Sequence, residues 1–165
     1  MPATVNALAV SIAPSRVFLD VDASSKKRLF EHIALAVEND SRIARVHVFD
    51  ALFAREKLGS TGLGLGVAIP HGRLKALREV IAVFVRTKEA IAFDAPDGEP
   101  VRLVFAMLAP ENANERHLQL LSELAQMFGD EDLRNKLLSA PGAAEAHALI
   151  SEWTPYAGTD RPATV

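Results

Sequence analysis

The sequence predicts an α/β domain built on one mostly buried sheet. Three observations carry that reading. Candidate strands and helices interleave through the first half of the chain, helices alone cluster in the second half, and the run Val101 to Leu108 is apolar almost throughout. Interleaving of this kind places helices against a sheet. With 165 residues, one domain is the expectation, and a chain of that size buries enough surface to fold without staples.

Arg16 to Val21 reads as the first strand, with Val17, Leu19 and Val21 on one face. Asp22 or Ser24 is placed to cap the helix that follows, whose apolar residues Leu29, Ile33, Ala34 and Val37 recur at helical spacing. Asn39-Asp40-Ser41 should break it. A second helix is predicted from Ile43 to Lys57, with Val46, Phe49, Ala51, Leu52 and Phe53 as its apolar stripe and Arg55 near its end.

The segment Gly59-Ser60-Thr61-Gly62-Leu63-Gly64-Leu65-Gly66 holds four of the nine glycines, so it reads as a loop whose backbone N–H groups could approach a ligand. Val67-Ala68-Ile69 is a short buried strand stopped by Pro70, with His71 and Gly72 immediately after. Ile81 to Val85 is a central strand and Ile91 to Phe93 a short one. Val101 to Leu108 is the strongest strand in the chain. Asn112 or Asn114 starts a helix carrying Leu118, Leu121, Leu124 and Phe128. Further helices fall around Leu133 to Leu138 and up to Trp153. Residues 1–15 read as an N-terminal arm, 16–153 as the domain, and 154–165, rich in Pro, Gly and Thr, as a flexible tail.

Composition excludes several functions. There is no cysteine, hence no disulfide, thiol catalysis or thiolate metal site, and a reducing cytoplasm is the expected compartment. Net charge is −3 and the basic residues form no stripe, which argues against nucleic-acid binding. No apolar stretch is long enough for a membrane span, and residues 1–15 lack the basic start of a signal peptide. His32, His47 and His147 have no metal-ligand spacing, so neither a metal nor a cofactor is expected.

The glycine loop fails as a P-loop, because Leu65 and Gly66 stand where Lys and Ser/Thr are needed. It fails as a dinucleotide fingerprint, because Val67 replaces the last glycine. By itself it would be a flexible connector. His71 changes this reading. Mounted at a strand end between Pro70 and Gly72, it is a candidate nucleophile, since a neutral imidazole offers a nitrogen lone pair near neutral pH. His117 lies in the first turn of a predicted helix, where the dipole disfavours its cationic form and favours a phosphate. Arg55 offers a planar fork for phosphate oxygens. Taken singly, each has an ordinary structural explanation: a core histidine, a surface histidine and an arginine at a helix C-terminus.

Together these residues resemble a family. Arg55-Glu56-Lys57-Leu58-Gly59-Ser60-Thr61-Gly62, followed by Val67-Ala68-Ile69-Pro70-His71-Gly72, resembles the phosphohistidine signature of the mannitol/fructose-type enzyme IIA of the bacterial phosphoenolpyruvate-dependent phosphotransferase system. Ile91 to Ala95, Pro100-Val101, Leu103 to Phe105 and His117-Leu118 continue the resemblance, which spans about Val17 to Ile150. It is nearest to the stand-alone nitrogen-regulatory branch, a signal-transduction component. Sugar-transporting members often carry a glutamate where this chain has Leu65.

The resemblance implies a three-layer α/β/α sandwich with a mixed sheet. It implies His71 as the nucleophile phosphorylated on Nε2, His117 as a phosphate-stabilising neighbour and Arg55 as a charge partner, with Gly59, Ser60, Thr61 and Gly62 as a phosphate loop. The implied donor is a small HPr-like carrier (NPr), fed by enzyme I and phosphoenolpyruvate. Sensor kinases and potassium transporters are the implied regulatory targets. A sugar-uptake enzyme IIA and a phosphorylation-independent binding module are the alternatives.

Overall fold

The computed structural model describes residues 12–112 and 114–154. Eleven elements follow in order: β1 (Ile12–Val21), α1 (Lys26–Ser41), α2 (Arg45–Leu58), β2 (Gly62–Gly64), β3 (Val67–Ala68), β4 (His71–Leu74), β5 (Ile81–Ile91), β6 (Val101–Pro110), α3 (Asn114–Phe128), α4 (Glu131–Ser139) and α5 (Ala143–Glu152). The strands form one mixed sheet in the order β1-β5-β6-β3-β2, with β4 also on β6. β1 runs parallel to β5, β5 antiparallel to β6, and β3 and β4 parallel to β6.

The apolar run in β6 is explained by burial on both faces. Leu103, Phe105 and Met107 point into a core shared with Leu120, Leu124, Met127, Leu133, Leu137 and Ile150 of α3, α4 and α5. Val104, Ala106 and Leu108 point the other way, into a core shared with Leu29, Phe30, Ile33, Val48 and Leu52 of α1 and α2. Two helices, a mixed sheet and three helices make the expected three-layer sandwich.

Several boundaries differ from the sequence reading. β1 begins at Ile12, so the strand takes in residues 12–15 of the expected arm; Ile12 is buried and pairs with Ala82. Residues 1–11 and 155–165 lie outside the described residues. Ser25, not Asp22 or Ser24, caps α1, accepting from the Arg28 N–H at 3.2 Å. Asn39, Asp40 and Ser41 remain helical, and the turn falls at Arg42, whose left-handed backbone (φ 62°) lets its N–H reach the Glu38 carbonyl.

In α2 the buried residues are Val48, Leu52 and Glu56, while Val46 is exposed. Apolar side chains surround most of this helix, so spacing alone does not select its inner face. The Ile91 strand is the end of β5, separated by a register shift that leaves Lys88, Glu89 and Ala90 exposed. The glycine-rich segment is no open loop: β2 and β3 pair antiparallel as a hairpin.

Candidate active site

β3 and β4 lie along the same edge of β6, with the same register on either side of an interruption at Ile69-Pro70. Proline lacks the N–H the ladder needs. Its carbonyl still accepts from the Met107 N–H at 2.9 Å, so the chain is held against β6 through the break. His71 therefore opens a strand; it does not trail one. Gly72 faces α2, where a Cβ would stand 3.0 Å from both the Ala51 Cβ and the Ala51 carbonyl oxygen.

Three elements converge on an open cleft of about 480 Å³. β4 contributes His71 and Arg73, α2 contributes Arg55 from its last turn, and α3 contributes His117. The structure thus brings together the three side chains singled out in the sequence. It adds Arg73, which the sequence reading missed. Its signal was available: residues 71 and 73 of a strand share a face.

The His71 Nδ1 lies 2.8 Å from the Ile69 carbonyl oxygen. A carbonyl only accepts, so Nδ1 carries the hydrogen, and in the neutral ring the lone pair sits on Nε2. Burial, first of all, lowers the His71 pKa below the ordinary histidine value; the Ile69 hydrogen bond and the Glu56 charge oppose this, and Arg55 and Arg73 add to it. The ring is neutral at neutral pH, with Nε2 free to attack.

The His117 ring centroid is 5.5 Å from that of His71, the planes tilted by 53°. His117 is only 3% exposed. Burial, then the positive fields of His71 and Arg73, push its pKa down to about 4. Among the described residues its buried Nδ1 has no hydrogen-bond partner. Leaving such a nitrogen unpaired costs about 1–3 kcal/mol, a cost that an incoming polar group would relieve.

Arg55 is half-buried and donates from Nη1 to the Gly59 carbonyl at 2.8 Å. It combines a helix C-terminal role with a positive field at His71. Leu58 and Leu118, 83% and 63% exposed, give the cleft an apolar rim.

The expected phosphate loop, Gly59 to Gly62, stands apart from the cleft. The Gly59 N–H donates to the Glu56 carbonyl at 3.1 Å, the Thr61 N–H to the Glu56 carboxylate at 3.2 Å, and the Gly62 N–H to Ser60 Oγ at 3.0 Å. The Ser60 hydroxyl donates to the Phe93 carbonyl. These groups are engaged inside the protein, and none of Gly59, Ser60, Thr61 and Gly62 lines the cleft. The segment is a brace behind the site. Its sequence resembles a ligand loop because close backbone packing also demands glycine: a Cβ on Gly62 would stand 2.8 Å from that of Ala95.

Among the described residues no cluster of three or more His, Asp or Glu side chains is placed to hold a metal ion, and no helix is long and apolar enough to cross a membrane. His147 instead reaches the Ile12 carbonyl through Nε2 at 3.1 Å, and His32 meets the edge of Phe18.

Comparison with known proteins agrees with this architecture. A nitrogen regulatory protein of Pseudomonas aeruginosa is 41% identical over 140 residues, covering 84% of this chain and 91% of that one. The crystal structure of nitrogen regulatory protein IIA-Ntr from Neisseria meningitidis superposes with a TM-score of 0.84 at 46% identity, covering 88% of this chain and all of that one. The crystal structure of IIA mannitol from Escherichia coli superposes with a TM-score of 0.71 at 25% identity, covering 84% and 98%. The model of the family described as phosphoenolpyruvate-dependent sugar phosphotransferase system, EIIA 2, matches residues 11–153, so the chain belongs to that family and is a phosphotransferase-system component.

Proposed function

We propose that the protein is a cytoplasmic phosphohistidine carrier of the nitrogen-related phosphotransferase branch. It takes a phosphoryl group from a phosphohistidine on a small HPr-like protein and regulates partners according to its own phosphorylation state. The observation that carries this reading is the 2.8 Å contact of His71 Nδ1 with the Ile69 carbonyl, which leaves Nε2 as the nucleophile inside a cleft shared with two arginines and a second imidazole.

In the transfer step the Nε2 lone pair forms a bond to phosphorus as the donor's N–P bond breaks. The electron pair of the broken bond stays on the donor nitrogen. His71 keeps its Nδ1 hydrogen on Ile69 throughout, so no proton need leave the ring. Such transfers depend chiefly on positioning and charge stabilisation. Arg55 and Arg73 face a charge of about −1.5 to −2, and the neutral His117 ring has one N–H to donate to a phosphoryl oxygen.

The apolar rim of Leu58 and Leu118 suits docking of another protein beside His71, and a phosphoryl group placed within that rim would change which surfaces dock. The nitrogen-regulatory names of the relatives support the regulatory branch over sugar uptake, as does Leu65, which is exposed at the hairpin tip. The test is phosphorylation by enzyme I, an HPr-like carrier and labelled phosphoenolpyruvate. Acid-labile, base-stable label should map to His71 and vanish in His71→Ala. Label that survives that substitution would overturn the assignment.

A further inference from the structure

We propose that Glu56 is a positioning residue for His71, acting through Thr61 and Ile69 to fix the tautomer that makes Nε2 the nucleophile. This rests on the phosphocarrier reading of His71 for its kinetic consequence.

Glu56 is only 8% exposed, an unusual place for a carboxylate. Lys26 Nζ donates to its Oε2 at 2.9 Å. The Thr61 N–H lies 3.2 Å from both oxygens, and the Thr61 hydroxyl donates to Oε1 at 2.5 Å. The Thr61 carbonyl then accepts from the Ile69 N–H at 3.0 Å. The Ile69 carbonyl accepts from His71 Nδ1 at 2.8 Å. An unbroken chain of hydrogen bonds and peptide units runs from the Lys26–Glu56 ion pair to the reacting ring.

The far end of this chain is anchored as firmly as the near end. Lys26 also pairs with Asp94 at 3.2 Å and lies 5.0 Å from the centre of the Phe93 ring. The Phe93 carbonyl holds Ser60, the residue before Thr61. Burying a carboxylate is a costly way merely to pin a turn, since an apolar contact of the same size would do so more cheaply. A charged acceptor is stronger and more directional, which suits a brace that must hold one carbonyl in place.

The direction matters because the two imidazole tautomers differ in function. With Nδ1–H clamped on Ile69, Nε2 is a nucleophile. If the Ile69 carbonyl swings away, the hydrogen is free to settle on Nε2, and that nitrogen cannot attack. Among the described residues His71 Nδ1 has no other hydrogen-bond partner to restore the first tautomer.

Two substitutions test the chain. Thr61→Val removes the hydroxyl at constant shape, and Glu56→Gln removes the charge and presents an amide N–H to donors. Outer partners that fix the tautomer of metal-ligating histidines are worth roughly ten- to hundredfold, and the same scale is expected here. The first measurement is the His71 tautomer by nitrogen-15 imidazole NMR on the unphosphorylated protein. The second is the phosphoryl-acceptance rate as a function of HPr-like donor concentration.

Both variants should show a raised Nε2–H population. The maximal rate should fall by roughly ten- to hundredfold, with the half-saturating donor concentration unchanged. Thr61→Ser, which keeps the hydroxyl, should restore both. Folded variants with the wild-type tautomer and rate would overturn the proposal. So would a rate loss that appears only as weaker donor binding. If Glu56→Gln fails to fold, the Thr61→Val and Thr61→Ser pair decides the matter. Absence of labelling in wild type, with the Nδ1–H tautomer still dependent on Thr61, would remove the carrier reading and leave the clamp intact.

Discussion

His117 should make this protein acid-sensitive in a window that can be calculated. Its pKa is about 4 in the folded protein against 6.5 for an ordinary histidine, because burial and the neighbouring His71 and Arg73 disfavour the cation. The unfolded chain therefore binds the proton more readily, and stability falls as pH drops below the unfolded value. By linkage the His117 contribution declines by about 1.8 kcal/mol between pH 7 and pH 5, and by roughly 3 kcal/mol on full protonation.

The assay is urea unfolding at half-unit steps from pH 7 to pH 5, on wild type and His117→Gln. The variant removes the group, so its stability curve should be flatter by about 1.8 kcal/mol over that interval, whatever its constant offset. His71 and His32 are also lowered by burial and bend both curves in the same sense, which is why the difference between the curves is the informative quantity. Parallel curves would show that His117 is not held neutral by its surroundings, and would remove the argument that it meets the phosphoryl group as a neutral donor.

Three further outcomes are expected. Arg73→Gln should raise the His71 pKa, read by NMR titration, and slow phosphoryl acceptance by roughly a hundredfold to a thousandfold, as loss of a preorganised charge-stabilising donor does; an unchanged titration would place Arg73 outside the site. Arg86→Met should lower stability by roughly 3 kcal/mol in urea unfolding, since the buried guanidinium donates at 2.9 Å to the Leu137 and Ala140 carbonyls at the end of α4 and pairs with Asp20. Gly62→Ala should lower stability by about 1–3 kcal/mol with an unchanged urea slope, because its Cβ would stand 2.8 Å from the Ala95 Cβ and 3.1 Å from its Cα.

The arms of the site were unequally legible. His71 was legible because its cues are local: a proline that breaks the ladder before it, a glycine after it and a short apolar run leading in. The loop Gly59 to Gly62 was legible as special but not in its role. Glycine serves equally to admit a ligand and to admit another stretch of backbone, and here Ala95 and the Glu56 carboxylate occupy the space. Arg73 was passed over because Pro70 marks a strand end in sequence, whereas the tertiary structure resumes the same edge of β6 one residue later.

By itself the sequence determined the layered α/β class, because the apolar run of β6 demands cover on both faces and the flanking helices have apolar stripes to supply it. It also determined where an imidazole is mounted on a strand, through the chemistry of Pro70-His71-Gly72. Only the tertiary structure decided what surrounds that imidazole. The Ile69 carbonyl, the orphaned His117 nitrogen, the two arginines and the buried Glu56 come from β4, α2 and α3 or from the turns between them. Their effect on His71 is electrostatic and directional, so it depends on distances that local spacing along the chain does not set.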